Sequence, residues 1–210
     1  MTTPPMSGRK AQAARNDELI LQAARAVFTA DPGAPIAAVA ERAGVGISAL
    51  YRRYPSKEDL LRKLCLDGLH LYIAVSEKAL DDQGDPWEAF AGYMRGIVDA
   101  DSSSLTIKLA GTFQPTPELG AAAVRASELA TRIHARAVEA GVLRPDVTTA
   151  DIALLFEQMA SVKLGDDERT GQLRHRYLAL LLDALRRPAS HAALPGPAPE
   201  DAELSARWVP

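Results

Sequence analysis

Apolar residues recur at helical spacing along almost the whole chain. The first stripe stops at the helix-breaking residues 31–33 and consists of Leu19, Ile20, Ala23, Val27 and Phe28. A second stripe has the i, i+3, i+4, i+7 pattern of a short amphipathic helix and consists of Ile36, Val39, Ala40 and Ala43. No segment alternates convincingly between apolar and polar residues, as a half-buried strand would. We therefore predict an all-α fold.

Capping signals mark the starts of further helices. A short third helix is predicted from Ile47 to Tyr54, where Pro55 follows. Residues 56–59, Ser-Lys-Glu-Asp, have the form of a capping box and open a long helix toward Leu80. Residues 85–88 and 116–118 each combine a cap, a first-turn proline and an acid. Together with the remaining breaks, these signals predict about nine helices.

The chain divides into four segments by composition and pattern. We expect a basic flexible arm at residues 1–14, a three-helix domain at 15–63, a larger helical domain at 64–187 and a tail at 188–210. The tail is rich in proline and alanine and has few large apolar residues. Such a composition cannot bury enough apolar surface to fold, so we predict a disordered tail.

Charge is distributed unevenly along the chain. The formal net charge is −3, yet residues 1–63 hold ten Lys and Arg against six Asp and Glu, which leaves +4 there and −7 in the rest. A basic end on an acidic chain indicates an acidic partner, although solvated helix faces would give the same count.

Several classes of protein and site find no support in the sequence. No apolar run approaches the roughly 18 residues of a membrane span and no secretory signal is visible, so we expect a cytoplasmic protein without a membrane partner. One cysteine, Cys65, and four scattered histidines predict neither a disulfide nor a metal site, and we expect no cofactor. The motifs of serine hydrolases, zinc proteases and phosphate-binding loops are absent, which argues against an enzyme.

The stretch AGVGISALYRRYPSKEDLL, residues 43–61, contains two glycines whose spacing also occurs in dinucleotide-binding loops. Such a loop needs a buried strand before the first glycine, and the residues before Gly44 follow a helical pattern instead. Gly44 is better placed to end one helix in the left-handed conformation, while Gly46 lets the next begin almost at once. Two short helices at a steep angle form a helix-turn-helix, whose second helix enters the DNA major groove.

This stretch resembles the DNA-binding domain of the TetR family of bacterial transcription regulators. The resemblance covers residues 15–63 and is carried by Ile36, Val39, Ala40, Ala43, Gly44, Val45, Leu50, Tyr51, Tyr54, Pro55, Ser56, Lys57, Glu58, Leu60 and Leu61. It implies an all-helical protein whose variable C-terminal domain dimerises and usually binds a small effector that releases the DNA. Residues 64–210 resemble the family only in helix pattern. The sequence departs from the family at Pro35 and Gly46, where many relatives carry a hydroxyl or small polar residue.

The resemblance also implies DNA contacts at matching positions. Tyr51 is expected to bond a phosphate through its hydroxyl, and Lys57 another from the start of the fourth helix, where free N–H groups also favour an anion. The residues expected to face bases are Ile47, Ser48 and Ala49. The residues expected to reach guanine edges or phosphates are Arg52 and Arg53. Additional phosphate or minor-groove contacts are expected from Arg9, Lys10 and Arg15.

The last two helices are apolar on more than one side. One side must pack on the same domain and another on a partner, which predicts a homodimer with a four-helix interface, as the resemblance also implies. The residues predicted to lie in this interface are Phe156, Met159, Tyr177 and Leu181.

A small, largely apolar effector is expected among the central helices. The candidate ligand-binding residues are His70, Trp87, Phe90, Tyr93, Met94, Phe113 and His134. Aromatic residues at helical spacing belong to the core more often than to a ligand site. His70, Tyr93 and His134 are favoured, because a polar group on an apolar stripe needs a partner.

The predicted function is that of a DNA-binding transcription regulator, in the simplest case a dimeric repressor that a small effector releases from a palindromic operator. Two alternatives stay open at this point. The chain could be a dimeric DNA-binding protein that binds no ligand, or an enzyme whose active site follows no known motif. Stabilisation by a small molecule would distinguish the first alternative, and turnover without preference for a DNA sequence the second.

Overall fold

The computed structural model describes residues 8–100, 109, 111–187 and 192–208. The helices in these ranges are α1 (Gly8–Ala30), α2 (Ile36–Ala43), α3 (Ile47–Arg53), α4 (Lys57–Asp81), α5 (Pro86–Asp99), α6 (Pro117–Glu139), α7 (Thr149–Ser161), α8 (Asp167–Leu185) and α9 (Asp201–Ser205), with a short 3-10 helix at Ala206–Trp208. The β-structure of these residues consists of one isolated bridge between Leu143 and Arg186. The predicted all-α fold is therefore confirmed.

The chain forms two compact units, Met1–Leu64 and Cys65–Pro210. In the first unit, α1 begins at Gly8 rather than near residue 15, because residues 9–15 are alanine, arginine, lysine and glutamine, all strong helix formers. The core of this unit consists of Ile20, Ala23, Ala24, Phe28, Ala34, Ile36, Val39, Ala40, Leu50, Tyr54, Leu60, Leu61 and Leu64. Apart from Ala34 in the loop before α2 and Tyr54 directly after α3, these residues come from α1, α2, α3 and the first two turns of α4, so each helix of the unit contributes one apolar side.

Two glycines set the corner between α2 and α3. Gly44 has a left-handed backbone, with φ at +65°. Its N–H donates to the Glu41 carbonyl at 3.1 Å, and the Val45 N–H donates to the Ala40 carbonyl at 3.0 Å, which together form a Schellman motif. Gly46 is extended, with φ at −65°, and precedes the first residue of α3. The sharp turn predicted from the two glycines is confirmed.

Side-chain caps begin several helices as predicted. The Ser56 hydroxyl accepts a hydrogen bond from the Asp59 N–H at 3.0 Å. The side chains of Asp85 and Thr116 likewise accept from the N–H groups three residues on, at 2.9 and 3.2 Å. Each cap satisfies a backbone donor that the first turn of a helix leaves without an intrahelical partner.

The second unit is built around one apolar cluster. Its buried members are Trp87, Phe90, Ala91, Tyr93, Met94, Ile97, Val98, Ile133, Ala137, Leu143, Val147, Ile152, Phe156, Met159, Leu178, Leu182 and Leu185. α4 packs on this cluster through Tyr72, Val75, Ala79 and Leu80. α5 approaches α4 so closely that a Cβ on Gly96 would lie 2.7 Å from Val75 Cγ1. All four helices from α5 to α8 therefore share one core with α4.

The described part of the C-terminal tail contains α9, although composition predicts disorder there. Near its start, the Leu194 N–H donates to the Asp146 carboxylate at 3.3 Å. Near its end, Arg207 forms an ion pair with Glu157 of α7 at 2.6 Å. These polar contacts join the tail to residues about fifty positions away in sequence. The prediction of disorder considered only the composition of the tail itself and therefore did not include them.

The two corner glycines provide a matched test of this turn. Gly44→Ala should lower the free energy of unfolding by about 1–2 kcal/mol, because a side chain disfavours the left-handed conformation. Gly46→Ala should change it by less than about 0.5 kcal/mol, since a lost preference at the N-cap and a less flexible unfolded chain offset each other. Denaturant unfolding of both variants measures the difference. Equal losses at the two positions would contradict this account of the corner.

Candidate nucleic-acid interface

α3 turns one side to the protein and the opposite side to solvent. Leu50 is fully buried, and Ala49 beside it is half-buried. Because successive residues of an α-helix are about 100° apart, Ser48 and Arg52 point away from Leu50 and lie next to each other. Both are exposed. We call Ser48 and Arg52, together with Ile47 and Tyr51, the exposed face of α3.

Ile47 and Tyr51 lie beside Ser48 on this face. Tyr51 is 46% exposed, and Ile47 is also exposed although it is a large apolar residue. The face therefore offers a hydroxyl and a guanidinium for base edges, an aliphatic group for thymine methyls and a phenol for a phosphate. Four of the five predicted base- or phosphate-contacting residues from 47 to 52 share it, and half-buried Ala49 lies at its edge.

The end of α3 is anchored on α1 by one carboxylate. Arg53 donates two hydrogen bonds to Asp17, from Nε at 2.7 Å and from Nη2 at 2.9 Å. The Tyr54 hydroxyl donates to the same carboxylate at 2.8 Å. The bonds from Arg53 lower the pKa of Asp17 from its ordinary value more than partial burial raises it. Asp17 is not among the residues predicted from sequence, because a contact across 36 positions leaves no local pattern.

Lys57 lies in the first turn of α4 with its amine directed at the loop between α1 and α2. Nζ donates to the carbonyls of Pro32 at 2.9 Å and Ala34 at 2.8 Å, and lies 5.1 Å from the centre of the Phe28 ring. These bonds use two of the three donors of the ammonium group. The expected phosphate contact stays a prediction, for which the third N–H is the available donor.

The basic residues of α1 divide between described and undescribed side chains. Arg15 is exposed and donates to the Gln12 side chain at 2.8 Å. The side chains of Arg9 and Lys10 lie outside the described residues, although both belong to α1. DNA contacts from these three residues therefore stay predictions.

Comparison with known proteins identifies the family. The sequence model of the bacterial regulatory proteins of the tetR family matches residues 20–64. The crystal structure of a TetR transcription regulatory protein from Mycobacterium vanbaalenii, 27% identical, aligns over 84% of this chain and 98% of that one, with a TM-score of 0.55. Residues 20–64 therefore form a DNA-binding domain of the TetR family of bacterial regulatory proteins.

Other relatives agree with this assignment. The HTH-type transcriptional repressor LfrR of Mycolicibacterium smegmatis is 33% identical over 125 residues, which span 58% of this chain and 63% of that repressor. The TetR-family regulator PfmR of Thermus thermophilus is 26% identical, with a TM-score of 0.56 over 78% of this chain and 97% of that one. The structure of LfrR in complex with proflavine, 24% identical here, shares the fold, with a TM-score of 0.58 over 79% and 95% of the two chains.

The match to the TetR family model and the similarity to the repressor LfrR confirm the prediction of a regulator and argue against the alternative of an enzyme. Within the described ranges, the side chains form no cluster of histidine, cysteine and carboxylate that could hold a metal ion. None of the helices in those ranges is long and apolar enough to cross a membrane.

In the second unit, most of the predicted ligand-binding residues belong to the apolar core. Trp87, Phe90, Tyr93 and Met94 are buried in the cluster of the second unit, and Phe113 is also buried. The Tyr93 hydroxyl shares a hydrogen bond with that of Tyr72. Burial raises the pKa of Tyr72 above its ordinary value and that of Tyr93 well above it, so both phenols stay neutral. The two predicted histidines differ: His134 bonds the Val147 carbonyl at 2.7 Å, whereas His70 is exposed.

Two recesses among the described residues of the second unit differ from the apolar cavity predicted. The space beside Phe90 and Ile133 measures about 10 Å³, far below the several hundred that a drug-sized ligand occupies. An open recess of about 450 Å³ is lined mainly by polar residues, namely Val98, Asp99, Lys163, Gly165, Asp167, Thr170, Gly171, Arg174 and His175. Ligand contacts by the predicted residues therefore stay predictions.

The predicted dimer residues separate into two groups. Phe156 and Met159 are only 5% and 7% exposed and lie in the core of their own chain, so a contact with a partner through them stays a prediction that this burial does not favour. Both residues lie in the core because the apolar stripe of α7 faces Tyr93; the ring centres of Tyr93 and Phe156 are 5.8 Å apart. Tyr177 is exposed and Leu181 half-buried, so both remain candidates for an interface.

α8 carries apolar residues on two sides. Leu178, Leu182 and Leu185 lie in the core. A second stripe, which is exposed or half-buried, consists of Leu173, Tyr177, Leu180, Leu181 and Ala184, and we call it the outer stripe of α8. An apolar stripe of this length is uncommon on the surface of a protein that functions as a monomer.

Proposed function

We propose that this protein is a DNA-binding transcription regulator that binds a two-fold symmetric operator as a homodimer and is released by a small molecule. The observation that carries the proposal is the exposed face of α3, where Ser48 and Arg52 point directly away from the buried Leu50. That face follows a helix-turn-helix corner in a segment with a net charge of +4. Repression is the simplest mode, as in the relative LfrR, which is named a transcriptional repressor.

The chemistry of the face fits duplex DNA better than another anion. The width of the major groove admits one α-helix, and α3 ends after seven residues, so its whole exposed side can enter. Serine and arginine bond base edges, isoleucine contacts thymine methyls, and the Tyr51 hydroxyl at the flank is placed for a phosphate. A site for a small anion would instead have its cations converging on one point. In bacteria DNA lies in the cytoplasm, and the proposal places the protein there.

Dimerisation is supported by the outer stripe of α8. Tyr177 and Leu180 are 45% and 59% exposed although both are large and mostly apolar. A second copy of the chain would cover the stripe in a symmetric contact, because the same surface on each subunit is self-complementary. Dimerisation also links two copies of α3, which a palindromic operator requires.

Release by a small molecule is supported by the relative LfrR, whose structure contains proflavine. In this chain, α4 carries Lys57 in its first turn and, further along, Tyr72, which is partly buried and packs against the apolar core of the second unit. A ligand that displaces the later turns of α4 would also displace its first turn, since a helix moves as a rigid rod over this length. The buried pair of Tyr72 and Tyr93 hydroxyls is a polar group that such a ligand could bond.

DNA binding should depend strongly on salt. A dimer that makes about six to ten phosphate contacts should lose roughly three to five decades of affinity for its selected duplex between 50 and 200 mM salt.

Tyr51→Phe, which removes one phosphate contact per half-site, should weaken all duplexes by about 1.5–3 kcal/mol per half-site. Thr131→Val is the control, since it removes an exposed hydroxyl from α6, outside both the exposed face of α3 and the outer stripe of α8. A flat salt response in fluorescence anisotropy, or equal effects of the two substitutions, would contradict the proposal.

The outer stripe of α8 should hold the dimer together. Leu180→Glu should produce monomers, because a charge buried in an apolar contact without a partner is strongly unfavourable. Val124→Glu is the matched control: Val124 is 60% exposed, close to the 59% of Leu180, but lies on α6. Sedimentation velocity at micromolar concentration should show a dimer for the wild type and for Val124→Glu. A monomeric wild type would refute the proposed assembly.

A compound that acts as the effector should bind free protein more tightly than protein on DNA. Such a compound can be found by thermal shift, because a ligand at 100 times its Kd adds about 2.7 kcal/mol of stability. Coupling of about 1–3 kcal/mol would weaken the DNA complex by roughly 5- to 150-fold, and by linkage the DNA must weaken ligand binding equally. Calorimetric titration in the two states measures both factors. Equal ligand affinities for free and DNA-bound protein would indicate a regulator that this ligand does not release from DNA.

A further inference from the structure

The two consecutive arginines of α3 lie on different sides of the helix. Arg52 follows Ser48 by four residues and shares its exposed side, opposite Leu50. Arg53 follows Leu50 by three residues and therefore leans toward the side that packs on α1. Sequence alone treats the two residues as equivalent, but the helix directs their guanidinium groups to different surroundings.

Arg53 is already bonded in the free protein. Its fork of Nε and Nη2 meets both oxygens of Asp17, and its guanidinium carbon lies 5.6 Å from the centre of the Tyr54 ring. A bidentate pair fixes direction as well as distance, because both N–H groups must point at one carboxylate. Within the part of the chain that the structure describes, the Arg52 side chain makes no hydrogen bond or ion pair and is exposed.

We propose that Asp17 is a positioning residue for DNA recognition, which holds Arg53 and Tyr54 against α1 and leaves Arg52 as the arginine of α3 that recognises bases. The inference rests on the proposed DNA-binding function and divides between the two arginines a role that the sequence assigns to both. Arg52 acts with Ser48 on base edges in the groove. Arg53 neutralises Asp17 and fixes the orientation of the last turn of α3.

Electrostatics gives Arg53 a second effect on DNA affinity. Asp17 is the carboxylate nearest to the end of α3 in the described contacts, and DNA phosphates would repel it if it carried an uncompensated charge. With Arg53 in place the pair is neutral. Loss of Arg53 therefore removes a cation and exposes an anion, which weakens binding to every sequence, whereas loss of Arg52 removes a contact to a particular base.

The test uses the full-length protein and a pool of duplexes randomised over about 20 base pairs, which spans two half-sites one helical turn apart. Sequences retained by the wild type and by four variants are compared by base preference at each position. The variants are Arg52→Ala, Arg53→Ala, Asp17→Asn and the double variant Asp17→Asn with Arg53→Ala. Affinities are then measured on the duplex that the wild type prefers and on single-base substitutions of it.

Arg52→Ala should lose about 5- to 150-fold discrimination at one or more base positions. Arg53→Ala should bind every duplex more weakly and, because it removes two of the three bonds to Asp17, should lose discrimination only at the positions that Arg52 recognises. The double variant should bind more tightly than Arg53→Ala, because it removes the exposed carboxylate. Asp17→Asn should lower the discrimination between bases at the positions that Arg52 recognises, because the end of α3 is no longer fixed. A purely structural role for Asp17 would lower affinity and leave base preference unchanged.

Besides a purely structural result for Asp17→Asn, two outcomes would overturn the inference: an Arg53→Ala variant that loses discrimination at positions which Arg52→Ala leaves unchanged, or a double variant that binds no better than Arg53→Ala. Melting temperatures of all variants control for folding. If Asp17→Asn is unfolded at the assay temperature, Tyr54→Phe replaces it, since this change removes one of the three bonds and keeps the ion pair. A wild type that enriches no sequence would refute the proposed function itself, and is distinct from either outcome.

Discussion

A helix of seven residues is too short to persist in water by itself, and the proposed DNA-binding surface is such a helix. Nucleation of the first turn is unfavourable, and isolated helices below about 12 residues are marginal even for alanine-rich sequences. α3 must therefore be held by tertiary contacts. Leu50 supplies the apolar contact at its middle, and Asp17 holds its end through Arg53 and Tyr54.

The same constraint explains why this unit contains polar contacts between distant residues. Lys57 joins the first turn of α4 to the carbonyls of the loop between α1 and α2. A domain of about sixty residues buries a smaller share of its surface than a larger one, so bonds of this kind contribute more to fixing its helices. As a result, the stability of α3 does not depend on the residues of its exposed side, and these residues are available to contact DNA.

Local patterns predicted most helices and the corner correctly, because each signal lies within a few residues. Gly44 in a left-handed conformation and the cap at Asp85 are of this type. Contacts across many residues left no such signal: the Asp17–Arg53 pair spans 36 positions. The pattern of apolar residues likewise did not indicate that Phe156 packs in the core of its own chain. Periodicity shows that α7 and α8 are apolar on several sides, but cannot say which side meets their own core.

The central claim is that the exposed face of α3 contacts the bases of duplex DNA. The most direct measurement is a crystal structure of the wild-type protein bound to the duplex that it selects. The account predicts α3 in the major groove, with the Ser48 hydroxyl and the Arg52 guanidinium within hydrogen-bond distance of base edges. A complex in which α3 lies outside the groove, or turns Ser48 and Arg52 away from the bases, would contradict it.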